Sequence, residues 1–202
     1  MSRPYAAACE NNQAPIFEVL RSAFAHAHHV LEIGSGTGQH SVYLAPRLPH
    51  VVWHTSELPP LHDGIAAWHA HQPAPNLRLP VALDLRSDAW PDVGGAVMDA
   101  VFTSNTLHIV AWPTVQRLFD LLGRHLPIGG LFAVYGPFNY GGDFTSESNR
   151  AFDAWLKSQD SARGIRDIEA VQALAAEQGL RLIEDHAMPA NNRVLVFAKQ
   201  SG

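Results

Sequence analysis

Short continuous apolar runs alternate along the chain with stretches whose apolar positions recur every three to four residues, the signatures of buried strands and amphipathic helices. Ile16, Val19, Leu20 and Phe24 have helical spacing and predict a first helix after Pro15, a residue suited to a first turn. Val30-Leu31-Glu32-Ile33 predicts a short strand that ends at glycines. A helix over Gln39–Leu48 and a strand over Val51–Thr55 come after it. Next are a helix near Ile65–His71, a strand over Leu77–Leu83 ending at Asp84, and a strand over Met98–Thr103 bounded by Asn105. Val115, Leu118, Phe119, Leu122 and Leu126 form one stripe and predict a helix over Val115–Leu126. The turn Pro127-Ile128-Gly129-Gly130 leads into a strand over Leu131–Tyr135. Helices over Ser148–Leu156 and Ile168–Gln178, the second closed by Gly179, precede strands at Leu180–Ala187 and Arg193–Lys199.

Alternating strands and helices mean βαβ crossovers and a mostly parallel sheet. The last two strands are separated only by Met188-Pro189-Ala190-Asn191-Asn192, too short for a crossover, so they pair as a hairpin. The expected fold class is α/β: a Rossmann-like three-layer sandwich with a mostly parallel seven-stranded sheet and an antiparallel last strand. The alternation is read from the residues; the strand order comes by analogy with Rossmann-like methyltransferases. With 202 residues, 47% of them hydrophobic, and no repeat or linker, residues 1–202 are expected to form a single domain.

Composition narrows the function classes. A net charge of -5 with no clustered Lys or Arg disfavours nucleic acid as a partner. Cys9 is the one cysteine, so neither an internal disulfide nor a cysteine-rich zinc site is expected, and no metal is assigned. There is no basic-then-apolar leader in Met-Ser-Arg-Pro-Tyr and no run of about 18 apolar residues, so a cytoplasmic protein without membrane association is the expectation.

The candidate chemistry begins at the first strand. Gly34, Gly36 and Gly38 permit a tight turn and close approach of a ligand to the backbone. A dinucleotide fingerprint, G-x-G-x-x-G/A, would need glycine or alanine at 39, where this chain has Gln39. Glu32 lies two residues before Gly34, and a carboxylate there suits an ammonium and sulfonium and repels a pyrophosphate. E-x-G-x-G-x-G, with Ser35 inside it, is similar to the S-adenosylmethionine motif. Glu57, 19 residues after Gly38, has the spacing of an acid that bonds both ribose hydroxyls. Asp84, followed by Leu85, ends the third strand, where methyltransferases commonly place an acid near the adenine amino group. The plain alternatives are a glycine turn and two solvated loop acids.

Several segments resemble the methyltransferase-like family DUF938. They are Glu10-Asn11-Asn12 with Pro15-Ile16, Leu31–Gly38, Asn105–Ile109 with Trp112, Tyr135-Gly136-Pro137-Phe138, Phe144–Asn149, Phe152-Asp153, Gly164–Asp167 and Met188–Asn192. The resemblance spans nearly the whole chain and implies the class I methyltransferase fold and S-adenosylmethionine as cofactor, with no substrate. The chain departs from the family pattern at Ser56-Glu57, where Asp is usual, and at Thr106 and Val110-Ala111, where Met and Ser-Pro are.

Methyl transfer needs alignment more than a catalytic constellation. If a base is used, His108 is the candidate, with loop packing as its alternative. Tyr135 offers a hydroxyl at the end of the fifth strand, or is a core aromatic. Asn105 is assigned to the cofactor site. Asn11 and Asn12, placed before the first helix, are candidates for a lid or for capping. Arg166 is a candidate for holding a substrate carboxylate or phosphate, with an ion pair to Asp167 or another acid as the alternative. Asn191 and Asn192 reach the site or simply make the hairpin turn. His26, His28 and His29 read as a solvated helix end without partners. The leading expectation is methyl transfer to a small molecule. An NAD(P)-dependent oxidoreductase, which lacks support from a Tyr-x-x-x-Lys pair, and a non-enzymatic module that keeps the cofactor pocket are the competing readings.

Overall fold

The computed structural model describes residues 3–201; the expectation about a leader segment rests in part on Met1 and Ser2, which lie outside the described residues. Seven strands form one sheet in the order β3-β2-β1-β4-β5-β9-β8, with β9 antiparallel to both its neighbours. The strands are β1 His29–Ile33, β2 Val52–Glu57, β3 Leu77–Ala82, β4 Ala100–Ser104, β5 Leu131–Gly136, β8 Leu180–Met188 and β9 Asn192–Lys199. A further pair, β6 Phe138–Asn139 and β7 Arg166–Asp167, makes a separate two-stranded sheet. The helices are α1 Ala7–Ala23, α2 Gln39–Leu44, α3 His62–His71, α4 Trp112–His125, α5 Glu147–Gln159 and α6 Ile168–Glu177. This is the expected α/β architecture. No helix among the described residues is long and apolar enough to cross a membrane.

The chain divides into two compact units, Met1–Thr103 and Ser104–Gly202. In the first, β1 pairs in parallel with β2 and β4, and its residues Val30, Leu31 and Ile33 are buried, as parallel strands covered on both faces require. Ile16 and Leu20 of α1, Trp53 and Phe102 complete that core. The Asp99 carboxylate accepts from the His28 and His29 backbone N–H groups at 2.8–3.0 Å. The chain therefore enters β4 two residues later than the apolar run at Met98 predicts. His29 Nδ1 lies 3.1 Å from His54 Nε2, and His28 Nδ1 3.1 Å from Asp99 Oδ2. These contacts correct the view of residues 28 and 29 as histidines without partners.

Two helix boundaries also differ from the periodicity. Helix α1 begins at Ala7 and carries Pro15 in its interior. Proline there leaves the Asn11 carbonyl without its usual helical donor, a real cost. Tertiary anchors offset it: the Ala6 N–H donates to Gln39 Oε1 at 2.7 Å, and Asn12 Oδ1 lies 2.6 Å from His40 Nε2. Helix α2 ends at Leu44, ahead of Pro46, and continues as a 3₁₀ turn over Ala45–Arg47.

In the second unit β5, β9 and β8 form an antiparallel ladder, with α4 supplying Val115, Leu118, Phe119 and Leu122 to the core. Phe119, Phe132 and Phe197 pack together with ring centroids 5.6–6.1 Å apart. All three are fully buried, so Phe197→Ala leaves a cavity in the middle of the ladder. A loss of about 3–5 kcal/mol in unfolding free energy is expected from chemical denaturation, and a loss below about 1 kcal/mol would show that the cluster is not the core of this unit.

Candidate functional site

In the first unit the site is built on the turn from β1 into α2. Gly34 and Ser35 both donate their N–H groups to the Ser56 carbonyl, at 3.1 and 3.0 Å, which pins the loop against β2. Gly36 and Gly38 have φ of +56° and +87°, backbone that side chains resist. They serve different ends. A Cβ at Gly38 would stand 3.0 Å from Ile65 Cα, so glycine there lets α3 approach. A Cβ at Gly36 would meet nothing nearer than the Gly34 carbonyl at 4.0 Å, so the chain leaves open space above that residue.

Two carboxylates lie beside this loop. Glu57 reaches over it, Oε2 accepting from the Gly36 N–H at 3.0 Å and Oε1 from the Leu58 N–H at 2.8 Å. Glu32 is 2% exposed, with Oε2 accepting from the Trp53 indole at 2.9 Å. Burial pushes the Glu32 carboxyl up to about 7, against the pull of hydrogen bonds from Trp53 and Ser35. Ser35 is buried as well, its Oγ accepting from the Ser56 N–H at 3.3 Å. Gln39, first residue of α2, takes the Thr37 hydroxyl on the same Oε1 that holds Ala6. Cys9 of α1 is half-buried beside Thr37, and burial pushes its thiol pKa up.

Asn11 and Asn12 lie within α1 instead of before it, and neither caps it: the N-cap is Ala6, with no side-chain cap. Asn12 is buried on His40, while Asn11 is exposed. Asp84 is committed to Arg86, which donates from its backbone N–H and from Nε and Nη2 over 2.7–3.2 Å. The Arg86 bonds hold the Asp84 carboxyl down at about 2. Leu85 is buried.

In the second unit Asn105 adopts φ +57°, a conformation Asn tolerates better than most residues, and donates its N–H to the Tyr135 carbonyl at 2.9 Å. Tyr135 itself is buried. His108 is 3% exposed, edge-on to Phe152 at 5.5 Å, and a Cβ at Gly136 would stand 3.4 Å from its Nδ1. Burial first, and the Arg166 charge second, bring its pKa down to about 4, so the imidazole is neutral at pH 7.

Arg166 is bonded to backbone carbonyls on three residues. Its Nε donates to the Leu107 carbonyl at 3.0 Å, and Nη2 donates to those of Val110 and Ala162 at 2.7 and 2.9 Å. The guanidinium braces the loop that carries His108 through the Leu107 and Val110 carbonyls. Asn191 and Asn192 form the hairpin turn: Asn191 has φ +58° and donates to Ser148 Oγ, while Asn192 Nδ2 bonds the Pro189 and Ala190 carbonyls. Sequence reasoning misses three buried polar residues. Asn149 donates to Thr145 Oγ1 and the Asn191 carbonyl; Asp153 accepts from the Ile165 N–H and Lys157; and Asn139 lies in β6. Asn149 and Asp153 fall inside family-like segments, which is their only signal. Among the described residues no group of three or more His, Cys, Asp or Glu is placed to hold a metal ion.

Against known proteins, the family described as "Protein of unknown function (DUF938)" matches over residues 3–199. The fold is similar to an O-methyltransferase family protein from Burkholderia thailandensis, with TM-score 0.81 and 16% identity over 97% of this chain and 58% of that one. It is also similar to the S-adenosylmethionine-dependent methyltransferase SibL in its apo form, with TM-score 0.80 and 20% identity over 96% and 56% of the two chains. An O-methyltransferase family 2 protein from Planctomyces limnophilus in complex with apigenin aligns with TM-score 0.74 and 14% identity, over 93% and 61%. The chain thus spans about three fifths of the length of these solved structures.

The titrations set a pH dependence. His40, His54, His69 and His108 are all brought down to about 4 by burial, from an ordinary 6.5. Each binds its proton more readily when unfolded, so their stabilisation is complete above pH 6.5 and drains away as pH falls toward 4. Glu32 acts with the opposite sign between about 7 and 4.5, because the folded protein holds its proton more tightly. Four histidines outweigh one carboxyl, so the melting temperature should fall between about pH 7 and pH 5, and more steeply in Glu32→Gln. A melting temperature that is flat over that range would contradict this balance.

Proposed function

The chain belongs to the DUF938 family, and from that premise we propose that it is a methyltransferase that uses S-adenosylmethionine and acts on a small molecule. The observation that carries the reading is the Glu57 carboxylate on the Gly36 N–H, beside an open space above that glycine. In a dinucleotide site the loop N–H groups bond phosphate. Here that donor is spent on a carboxylate, which repels phosphate and favours a ligand with cationic groups and ribose hydroxyls. Glu32, buried on the Trp53 indole two residues before Gly34, is a second acidic group at the loop. The NAD(P) reading loses its main support at this bond.

The sulfonium of the cofactor supplies, when bound, an activated methyl group for in-line displacement. The chain's own part is orientation and exclusion of water. In this proposal Gly34, Ser35 and Gly36 would present backbone to the ligand, Gly38 would keep the turn tight against Ile65, Glu57 would face the ribose, and Asp84 with Leu85 would border the adenine. Asn105, proposed for the cofactor, and Tyr135 are fixed to each other through the backbone. His108, neutral at pH 7, is the group available to take a proton from the nucleophile. The small-molecule substrate rests on the acidic charge balance and on the apigenin complex of the Planctomyces limnophilus protein. A non-enzymatic module with the same pocket has no observation in its favour.

Thermal melting with S-adenosylhomocysteine tests the cofactor assignment. Ligand at 100 times its dissociation constant should add about 2.7 kcal/mol of stability, with no shift from NAD(P). Gly36→Asn, a residue that tolerates the positive φ at 36 and has room there for its side chain, should fold but lose the shift. A shift with NAD(P) alone would overturn the assignment.

A further inference from the structure

The two halves of α1 are held by different means. After Pro15, Ile16 and Leu20 are fully buried in the core of the first unit, and Phe24 joins them just past the helix. Before Pro15 the pattern changes. Among the described residues 3–14, Asn12 alone is buried, and every apolar side chain keeps some exposure.

What holds residues 3–14 is a short set of contacts with α3 and with the end of the glycine loop. Trp68 of α3 donates its indole N–H to the Pro4 carbonyl at 2.6 Å. A Cβ at Gly64 would stand 2.8 Å from Pro4 Cγ, so glycine there admits the proline. The Ala6 N–H donates to Gln39 Oε1, which also accepts the Thr37 hydroxyl at 3.0 Å. Cys9 stands beside Thr37, and Asn12 Oδ1 lies on His40 Nε2. Thr37 follows Gly36 directly, and Gly36 is exposed beside open space. The segment is thus docked next to the residue where the loop is open. Few polar contacts without apolar burial place a segment at the low end of local stability. Pro15 sets where it parts from the rest: it has no N–H to give the Asn11 carbonyl, so the two halves share one helical bond fewer.

We propose that residues 3–14 form a strap that opens at Pro15 and closes on the ligand of the glycine loop, with Gln39 Oε1 as the latch that joins it to Thr37. Opening breaks the polar contacts and leaves Ile16 and Leu20 in the core. A ligand that touches loop and strap together binds the closed form better and shifts the population toward it. The identity of that ligand rests on the methyltransferase reading; the opening at Pro15 does not.

The test reads amide hydrogen exchange, residue by residue, in the full-length ¹⁵N-labelled protein with and without S-adenosylhomocysteine. Without ligand, the amides of residues 11–14 should exchange about tenfold or more faster than those of residues 20–23 in the same helix. A ligand that binds only the closed form, at 100 times its dissociation constant, lowers the open population about 100-fold. Saturating S-adenosylhomocysteine should therefore slow residues 11–14 by about tenfold or more. Pro15→Ala restores the missing donor and should slow the same amides about tenfold without ligand. Equal exchange in the two halves of the ligand-free helix overturns the strap. So does a melting shift with S-adenosylhomocysteine that leaves residues 11–14 unchanged, and in that case the cofactor assignment stands. If S-adenosylhomocysteine gives no melting shift, the methyltransferase reading falls and Pro15→Ala decides the strap: slowed exchange at residues 11–14 upholds it, and unchanged exchange overturns it.

Discussion

The bond from the Gly36 N–H to Glu57 Oε2 sets what the glycine loop can hold. A hydrogen bond to an ionised carboxylate is stronger than one between neutral groups, and it costs the loop a donor that a phosphate would otherwise use. The Ser56 carbonyl fixes the same loop one step earlier through Gly34 and Ser35. Strand β2 therefore controls the loop at two successive residues, once with its backbone and once with a side chain. Glycine at 36 leaves open space where its side chain would stand, and glycine at 38 lets Ile65 approach.

Much of this arrangement is legible in the chain. Strand and helix alternation, the final hairpin and the stripe on α4 come from apolar spacing, because burial on a sheet or helix face has a fixed period. Glu32 and Glu57 are readable as acids at the carboxyl ends of strands. What the spacing hides is orientation. Nothing in the order of residues tells that Glu32 accepts from the Trp53 indole, or that Arg166 bonds the Leu107 and Val110 carbonyls. Those outcomes depend on partners 21 and more than 50 residues away.

The helix start at Ala7 shows the same limit from the side of propensity. Pro15 is a sound marker for a first turn and fails here because Gln39 and His40 hold the preceding segment in place. The two-stranded β6–β7 sheet leaves no trace in the apolar pattern for a related reason: two residues per strand carry no period to detect. It sets the backbone of Phe138 and Asn139 against Arg166 and Asp167.

The anchoring of α1 also bears on how a minimal version of the first unit would be cut. By periodicity the fold would start at Pro15, and a fragment begun there would keep every strand and glycine of the loop. It would lose Asn12, and with it the partner of His40, and it would also lose Ala6 and the half-buried Cys9 at Thr37. His40 would then be a buried imidazole facing a gap, and the start of α2 would fray where the glycine loop ends. The shortest faithful fragment is set by hydrogen-bond partners and not by the first hydrophobic stripe.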